Sequence, residues 1–286
     1  MVAKYLLLLL YLSIVAIEAK INIEIKAGRI NETKITYSGH EIENVNEADM
    51  ELFKIDRDFL MIATKLYLGR RPSSLFLNGP TPWNDLYETY GWEPVKKVLT
   101  IESARVKSIT KKPIQVLTHE FSNDFNNTIK VNTGISQSLT NTLTTSWSKT
   151  KEIGVTQGID YAINVIFLKA SGNTEFSFTN TWGKSEEVSQ SMTVGATTNV
   201  ETELAPNTKA KAILTASKGT LIVEVVYLAK LRGNVAVNYQ RKFKGHHFYG
   251  PNIDTLMNKG GVKNSVRVTE TITLDYYTDA SLTVQN

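Results

Sequence analysis

The chain has 286 residues, enough for one large or two modest domains with a sizeable core. Its 32 Lys and Arg against 28 Asp and Glu leave a net charge of +4, which permits attraction to anionic lipid or glycan but lacks the clustering expected of a nucleic-acid binder. With no cysteine at all, disulfides, thiol nucleophiles and cysteine-ligated metals are excluded, so stability has to come from sheet pairing and packing.

In chain order, Lys4 precedes an apolar run at 5–17, and the small residue Ala19 closes it. Residues 1–19 therefore read as a secretory signal peptide, too short and wrongly flanked for a spanning helix. No later stretch approaches the roughly 20 apolar residues that a membrane helix needs. The mature chain is expected to be secreted, extracellular and soluble as synthesised. Asn31-Glu32-Thr33 and Asn126-Asn127-Thr128 are glycosylation sequons, which places candidate glycans on Asn31 and Asn126.

Residues 20–100 read as a small mixed α/β head. The apolar run 59–68 suggests a buried strand, and 81–91 a short helix capped by Thr81, with Pro82 in its first turn and Gly91 at its end. Trp83, Leu86, Tyr87 and Tyr90 then share one face. That stripe is either packed core or an exposed aromatic patch, in which Trp83, Tyr87 and Tyr90 would contact a sugar or receptor.

From 101 to 286 helical periodicity disappears, and Ser, Thr and β-branched residues dominate. Beginning at Val131, apolar residues favour odd positions: Ile135, Leu139, Leu143 and Trp147, then Ile153, Val155, Ile159, Tyr161, Ile163, Val165 and Phe167. At about 3.3 Å per residue an unbroken strand of this kind would reach roughly 100 Å, so either the chain bends and changes sheet or the molecule is very elongated. Further strands are expected at 192–203, 210–216, 221–231, 235–239 and 266–276. Turns at Ala205-Pro206-Asn207, Lys218-Gly219 and Gly260-Gly261 separate some of them.

The segment 153–182 is singled out by its two faces. Its first arm carries the odd apolar residues and leads into the apolar tip Val165, Ile166, Phe167 and Leu168. Its return arm places Phe176, Phe178 and Trp182 at even positions. Charges at Lys149, Lys151, Lys184, Glu186 and Glu187 bracket the open end. A barrel-spanning strand needs about 9–11 residues with one lipid face and one lumen face, and this hairpin has that length. Asp160 and Glu175 fall on the polar, lumen side, whereas Gln157 and Asn180 are mismatches on the apolar side. The same alternation also describes an ordinary sandwich hairpin with one face in the core.

Signatures of catalysis are missing: there is no phosphate-cradling glycine loop, Gly-x-Ser-x-Gly elbow or His-Glu-x-x-His helix. The basic, aromatic stretch 241–250 carries Arg241, Lys242, Lys244, His246 and His247. Adjacent strand residues point to opposite faces, which argues against joint metal ligation by the two histidines. A solvated loop or a surface contact to anionic headgroups or glycans remains. No cofactor, metal or nucleic acid is implied.

The Ser/Thr-rich run 139–150, Thr181-Trp182-Gly183, Leu204-Ala205-Pro206-Asn207-Thr208 and Arg232-Gly233-Asn234-Val235-Ala236-Val237 resemble the aerolysin-like pore-forming proteins. The branch that includes epsilon toxin and the mosquitocidal toxins is the most similar. Pro80–Tyr87 and Gly245-His246-His247-Phe248 look more like secreted eukaryotic members, such as spherulin-type and insect follicular epithelium yolk proteins. The resemblance implies a mainly β fold of elongated antiparallel sheets. It also implies a homo-oligomeric ring on a lipid bilayer, with insertion of the 153–182 hairpin into a β-barrel, and a glycan or protein receptor is a candidate partner. The alternative is a non-lytic storage, yolk or structural protein that keeps this fold.

Overall fold

The computed structural model describes residues 21–27, 33–148, 160–167, 174–195 and 200–285. Strands β1 (Asn22–Ala27), β2 (Lys34–Ser38) and β3 (His40–Asn44) open the chain. Helix α1 (Glu47–Phe53) follows, fastened by a capping box in which Asn46 and Asp49 each bond the other's backbone N–H. Helix α2 (Arg57–Leu68) occupies the run expected to be a strand. Asp56 caps it by accepting from Phe59 N at 2.7 Å, and Gly69 ends it at φ 97°. Its buried residues are Leu60, Met61, Ala63 and Thr64, which is helical spacing that overrides the run's strand-like composition.

After β4 (Ser74–Phe76), α3 spans only Leu86–Tyr90, shorter than the expected 81–91. Thr81 still serves its start by accepting from Leu86 N at 2.9 Å, although Asp85 is the cap, and Gly91 ends it. The remaining strands are β5 (Lys96–Asn123), β6 (Ile129–Thr133), β7 (Ser136–Trp147), β8 (Asp160–Phe167), β9 (Thr174–Thr181), β10 (Glu187–Gly195), β11 (Val200–Leu204), β12 (Thr208–Arg232), β13 (Ala236–Phe243) and β14 (His246–Tyr249). Helix α4 (Ile253–Lys259) and β15 (Val266–Gln285) complete the chain. Helix α4 was not anticipated; Asn252 caps it and Gly260 closes it, so the Gly260-Gly261 pair is a helix end rather than a link between strands.

Two layers carry the core. The larger sheet has the order β10-β7-β15-β12-β5-β3, and its β12 pairs antiparallel with both β5 and β15. Strand β5 runs for 28 residues, roughly 90 Å at about 3.3 Å per residue. The turn expected at Lys218-Gly219 does not form, and β12 passes straight through it. Gly219 instead makes room for Tyr276, because a Cβ there would overlap the tyrosine ring.

The smaller sheet has the order β2-β1-β8-β9, with β1 parallel to β8 and the other pairs antiparallel. The long alternation from Val131 to Phe167 therefore changes sheet between β7 and β8 instead of running as one strand. Chain order and layering also disagree at the expected boundary at residue 100. Strands β1 and β2 join the hairpin's sheet, and β3 edges the long sheet. Strand β4 pairs with β13 of the C-terminal half, as β13 does with β14. Among the described residues no helix is long and apolar enough to cross a membrane.

Candidate functional site

The hairpin β8–β9 pairs in register from Asp160 opposite Thr181 to Phe167 opposite Thr174. Tyr161, Ile163, Val165 and Phe167 on one arm, and Phe176, Phe178 and Asn180 on the other, are buried, as is Trp182 just beyond. This face packs on the long sheet: they share one core with Leu143 and Trp147 of β7, Val223, Val225 and Tyr227 of β12, and Ile272, Leu274 and Tyr276 of β15. Phe167 lies 4.4 Å from Tyr276, centroid to centroid, and Trp182 lies 5.8 Å from Trp147. In this conformation the apolar face assigned to lipid is the inner face of a sandwich. Ile153, Val155, Ile159, Gln157, Leu168 and Asn31 lie outside the described residues.

The opposite face is polar and outward. Asp160 and Glu175 are exposed. Asp160 accepts from Thr181 Oγ1 at 2.7 Å near the open end, and Glu175 stands opposite Ile166 toward the tip. Asn164 bonds Asn22 of β1 at 2.9 Å and accepts from Ser177 at 2.8 Å. The two carboxylates thus share a face but sit toward opposite ends of the hairpin. Ile166 interrupts this polar face and is half-buried. Strand β9 ends the sheet, so among the described residues one side of the hairpin has no strand partner.

A buried polar cluster joins the hairpin to the long sheet. Glu270 of β15 is fully buried; Tyr161 OH donates to its Oε1, and Tyr227 OH donates to its Oε2 at 2.8 Å. Asn180 Nδ2 donates to Tyr161 OH at 3.1 Å and to Thr145 Oγ1 of β7 at 2.7 Å, and it lies 3.5 Å from Glu270 Oε1. Asn180, a mismatch on the apolar face, is therefore a fastening point. Among the described residues no Lys or Arg pairs with Glu270. Burial pushes its carboxyl up to about 7, even though the bonds from Tyr161, Tyr227 and Asn180 pull in the other direction. Burial, reinforced by the neighbouring Glu270 charge, holds both tyrosine hydroxyls well above their ordinary range.

Next to the cluster, Lys97 Nζ lies 5.4 Å from the Trp182 ring centroid and bonds Asp49 at 2.7 Å. The buried Trp182 Nε1 finds no acceptor among the described residues. The sequence offered one clue to Glu270: it stands on the buried face of β15 with Val268, Ile272 and Leu274. Its partners on three other strands could not be read from it.

The surface candidates separate. Tyr87 is buried, donating its hydroxyl to Phe76 O at 2.8 Å and Asn234 O at 3.2 Å, so it belongs to the core and not to a contact surface. Trp83 and Tyr90 are exposed. Trp83 packs 5.3 Å from Phe248, and Tyr90 stacks on Trp92 at 4.7 Å. The 241–250 stretch is a hairpin turning at Lys244-Gly245. Arg241, Lys242, Lys244 and His246 are exposed there, while His247 Nδ1 lies 2.8 Å from Tyr239 O and so turns inward. Asn126 is exposed in the loop after β5.

No protein-family model matches the chain. U-megalopygitoxin(8)-Mo12 of Megalopyge opercularis is 35% identical over 283 residues, covering 99% of this chain and 97% of that protein. U-megalopygitoxin(8)-Mc8 of Megalopyge crispata is 34% identical over 286 residues, covering 100% of this chain and 98% of that protein. Among solved structures, the parasporin-2 Bacillus thuringiensis toxin that recognizes cancer cells has a TM-score of 0.64 at 16% identity, covering 86% of this chain and 98% of that one. The fold is mainly β and aerolysin-like.

Proposed function

We propose that this chain, which belongs to the U-megalopygitoxin(8) family, is a secreted pore-forming toxin that assembles on a target membrane and inserts the 153–182 hairpin into a shared β-barrel. The observation that carries this reading is the two-faced hairpin, with an apolar face broken only by Asn180 among the described residues on one side and Asp160, Asn164, Glu175, Ser177 and Thr181 on the other. Of β structures only a closed barrel satisfies every backbone group in lipid, and each strand of such a barrel presents one apolar and one polar face. The toxin names of the relatives favour this use of the fold over storage.

The docked state explains why the monomer keeps the hairpin in water. Undocking would expose Tyr161, Ile163, Val165, Phe167, Phe176, Phe178 and Trp182, all buried now, at a cost on the order of 10 kcal/mol. Lipid recovers that burial and water does not. Release therefore belongs at a bilayer, coupled to assembly, where neighbouring chains pair the free edges. In the barrel Asp160 and Glu175 face the lumen, repeated once per subunit. The activity needs no covalent chemistry.

Dye release from liposomes by the purified mature protein, with and without limited proteolysis, tests the proposal. Leakage in discrete, size-limited steps is expected. Its absence from every vesicle under both treatments would refute the pore and return the chain to the storage or structural alternative.

A further inference from the structure

The geometry points to the outer face of α2, together with the tip of the β13–β14 hairpin, as a docking surface for anionic phospholipid headgroups. This rests on the proposed function only in taking a bilayer as the target. Helix α2 buries Leu60, Met61, Ala63 and Thr64, yet its opposite side carries apolar side chains: Ile62 is 49% exposed and Leu66 one turn later 60%, while Tyr67, at the C-terminal end of the buried stripe, is 44% exposed. Exposed large apolar residues grouped on one element mark interaction sites rather than ordinary surface.

The rim of this face is cationic. Lys65 flanks Ile62 and Leu66 on the helix itself and is exposed, and the exposed Arg70 and Arg71 follow its glycine cap. The hairpin tip is joined to the same end: Lys244 Nζ donates to Leu68 O at 3.3 Å, and the Arg70 guanidinium lies 5.8 Å from the Phe243 ring. Arg241 and Lys242 extend the tip, and among the described residues neither pairs with a carboxylate. The nearby acids are already engaged, Asp58 with Arg71 at 3.2 Å and Asp56 as the helix cap.

Apolar side chains within a basic rim match the interfacial zone of a bilayer, where the apolar groups enter the acyl boundary and the cations meet phosphate and carboxylate headgroups. A second copy of the chain would bring like charge against like at this face. A neutral glycan would leave the cations unused.

The test is co-sedimentation of the full mature protein with vesicles of phosphatidylcholine, with and without phosphatidylserine, read alongside dye release. Binding is expected to require phosphatidylserine and to weaken as salt rises. Arg241→Gln with Lys242→Gln should weaken it roughly twenty-five-fold, at about fivefold per cation. Ile62→Ser with Leu66→Ser should weaken it several-fold, and because both sites are exposed the denaturation midpoints should match the wild type. Equal binding to both vesicle types, or wild-type binding by both variants, would overturn the inference. So would self-association of the soluble protein that is lost in the Ile62/Leu66 variant without any vesicle binding. Binding that follows the expected pattern while no dye escapes would keep the docking surface and refute the pore. Leakage by the charge-neutralised variant at the wild-type dose would refute the docking surface and keep the pore.

Discussion

Replacing Glu270 with Gln tests the cluster that holds the hairpin down. The carboxyl faces Tyr161 on β8, Asn180 on β9 and Tyr227 on β12, with Thr145 of β7 behind Asn180. Lys97 of β5 is engaged instead by Asp49 and Glu43. Burial pushes the Glu270 carboxyl up from 4.5 to about 7, and one pH unit is worth about 1.4 kcal/mol, so ionising it in the docked state costs about 3.5 kcal/mol more than in water. The docked form holds its proton more tightly than the undocked form. The penalty is therefore absent below about pH 4.5, grows between there and 7, and is complete above 7. Docking should weaken as pH rises through this window. Glu270→Gln keeps the side chain's shape and most of its bonds but cannot ionise. It should match the wild type near pH 4.5 and exceed its stability at pH 8 by up to about 3.5 kcal/mol, less any mismatched hydrogen bond. Glu43, whose carboxyl burial also raises, contributes equally to both proteins and cancels from the difference. Urea unfolding at several pH values, with hydrogen exchange of the β8 and β9 amides, reads the effect. A constant stability difference between pH 4.5 and 8 would refute the reasoning.

The pore should prefer cations, because Asp160 and Glu175 would form rings of negative charge in a confined lumen. Asp160→Asn with Glu175→Gln should remove most of that preference without stopping insertion; reversal potentials across a salt gradient decide it, and an anion-selective wild type would contradict the lumen assignment. Gly219→Ala should destabilise the soluble fold by about 1–3 kcal/mol, since the new methyl displaces the Tyr276 ring; an unchanged melting temperature would contradict that packing. Ile163→Lys is expected to unfold the docked hairpin as well as block insertion, because Ile163 is fully buried in the soluble form; a variant as stable as the wild type would place that face outside the core.

What could be read from the sequence was whatever repeats locally. The odd face of β7 and β8 and the even face of β9 follow from a two-residue period, so the hairpin and its two faces were visible without a fold. Composition misled at 59–68, where a dense apolar run outweighed the helix signals Asp56 and Gly69. It misled again at Lys218-Gly219, where two turn-formers lie mid-strand because Tyr276, more than fifty residues on, needs the space. Long-range pairing was the illegible part. Nothing near Ile23 announces Ile163 as its parallel neighbour, and nothing near Glu270 announces Tyr161, Asn180 and Tyr227. For the same reason Tyr87 looked like one more member of an aromatic stripe, although its hydroxyl is spent on carbonyls of β4 and of the turn before β13.

The central claim is that β8 and β9 must part from β1 and from the long sheet beneath them to act, and a reversible covalent lock tests it most directly. Glu24 of β1 and Asn164 of β8 are register partners on the outward face, and neighbouring strands about 4.8 Å apart are within disulfide reach. The chain has no cysteine to compete, so Glu24→Cys with Asn164→Cys yields a single bridge. The oxidised protein is predicted to bind vesicles yet release no dye, and reductant is predicted to restore leakage to the wild-type rate. Leakage at that rate from protein confirmed to be bridged would contradict the account.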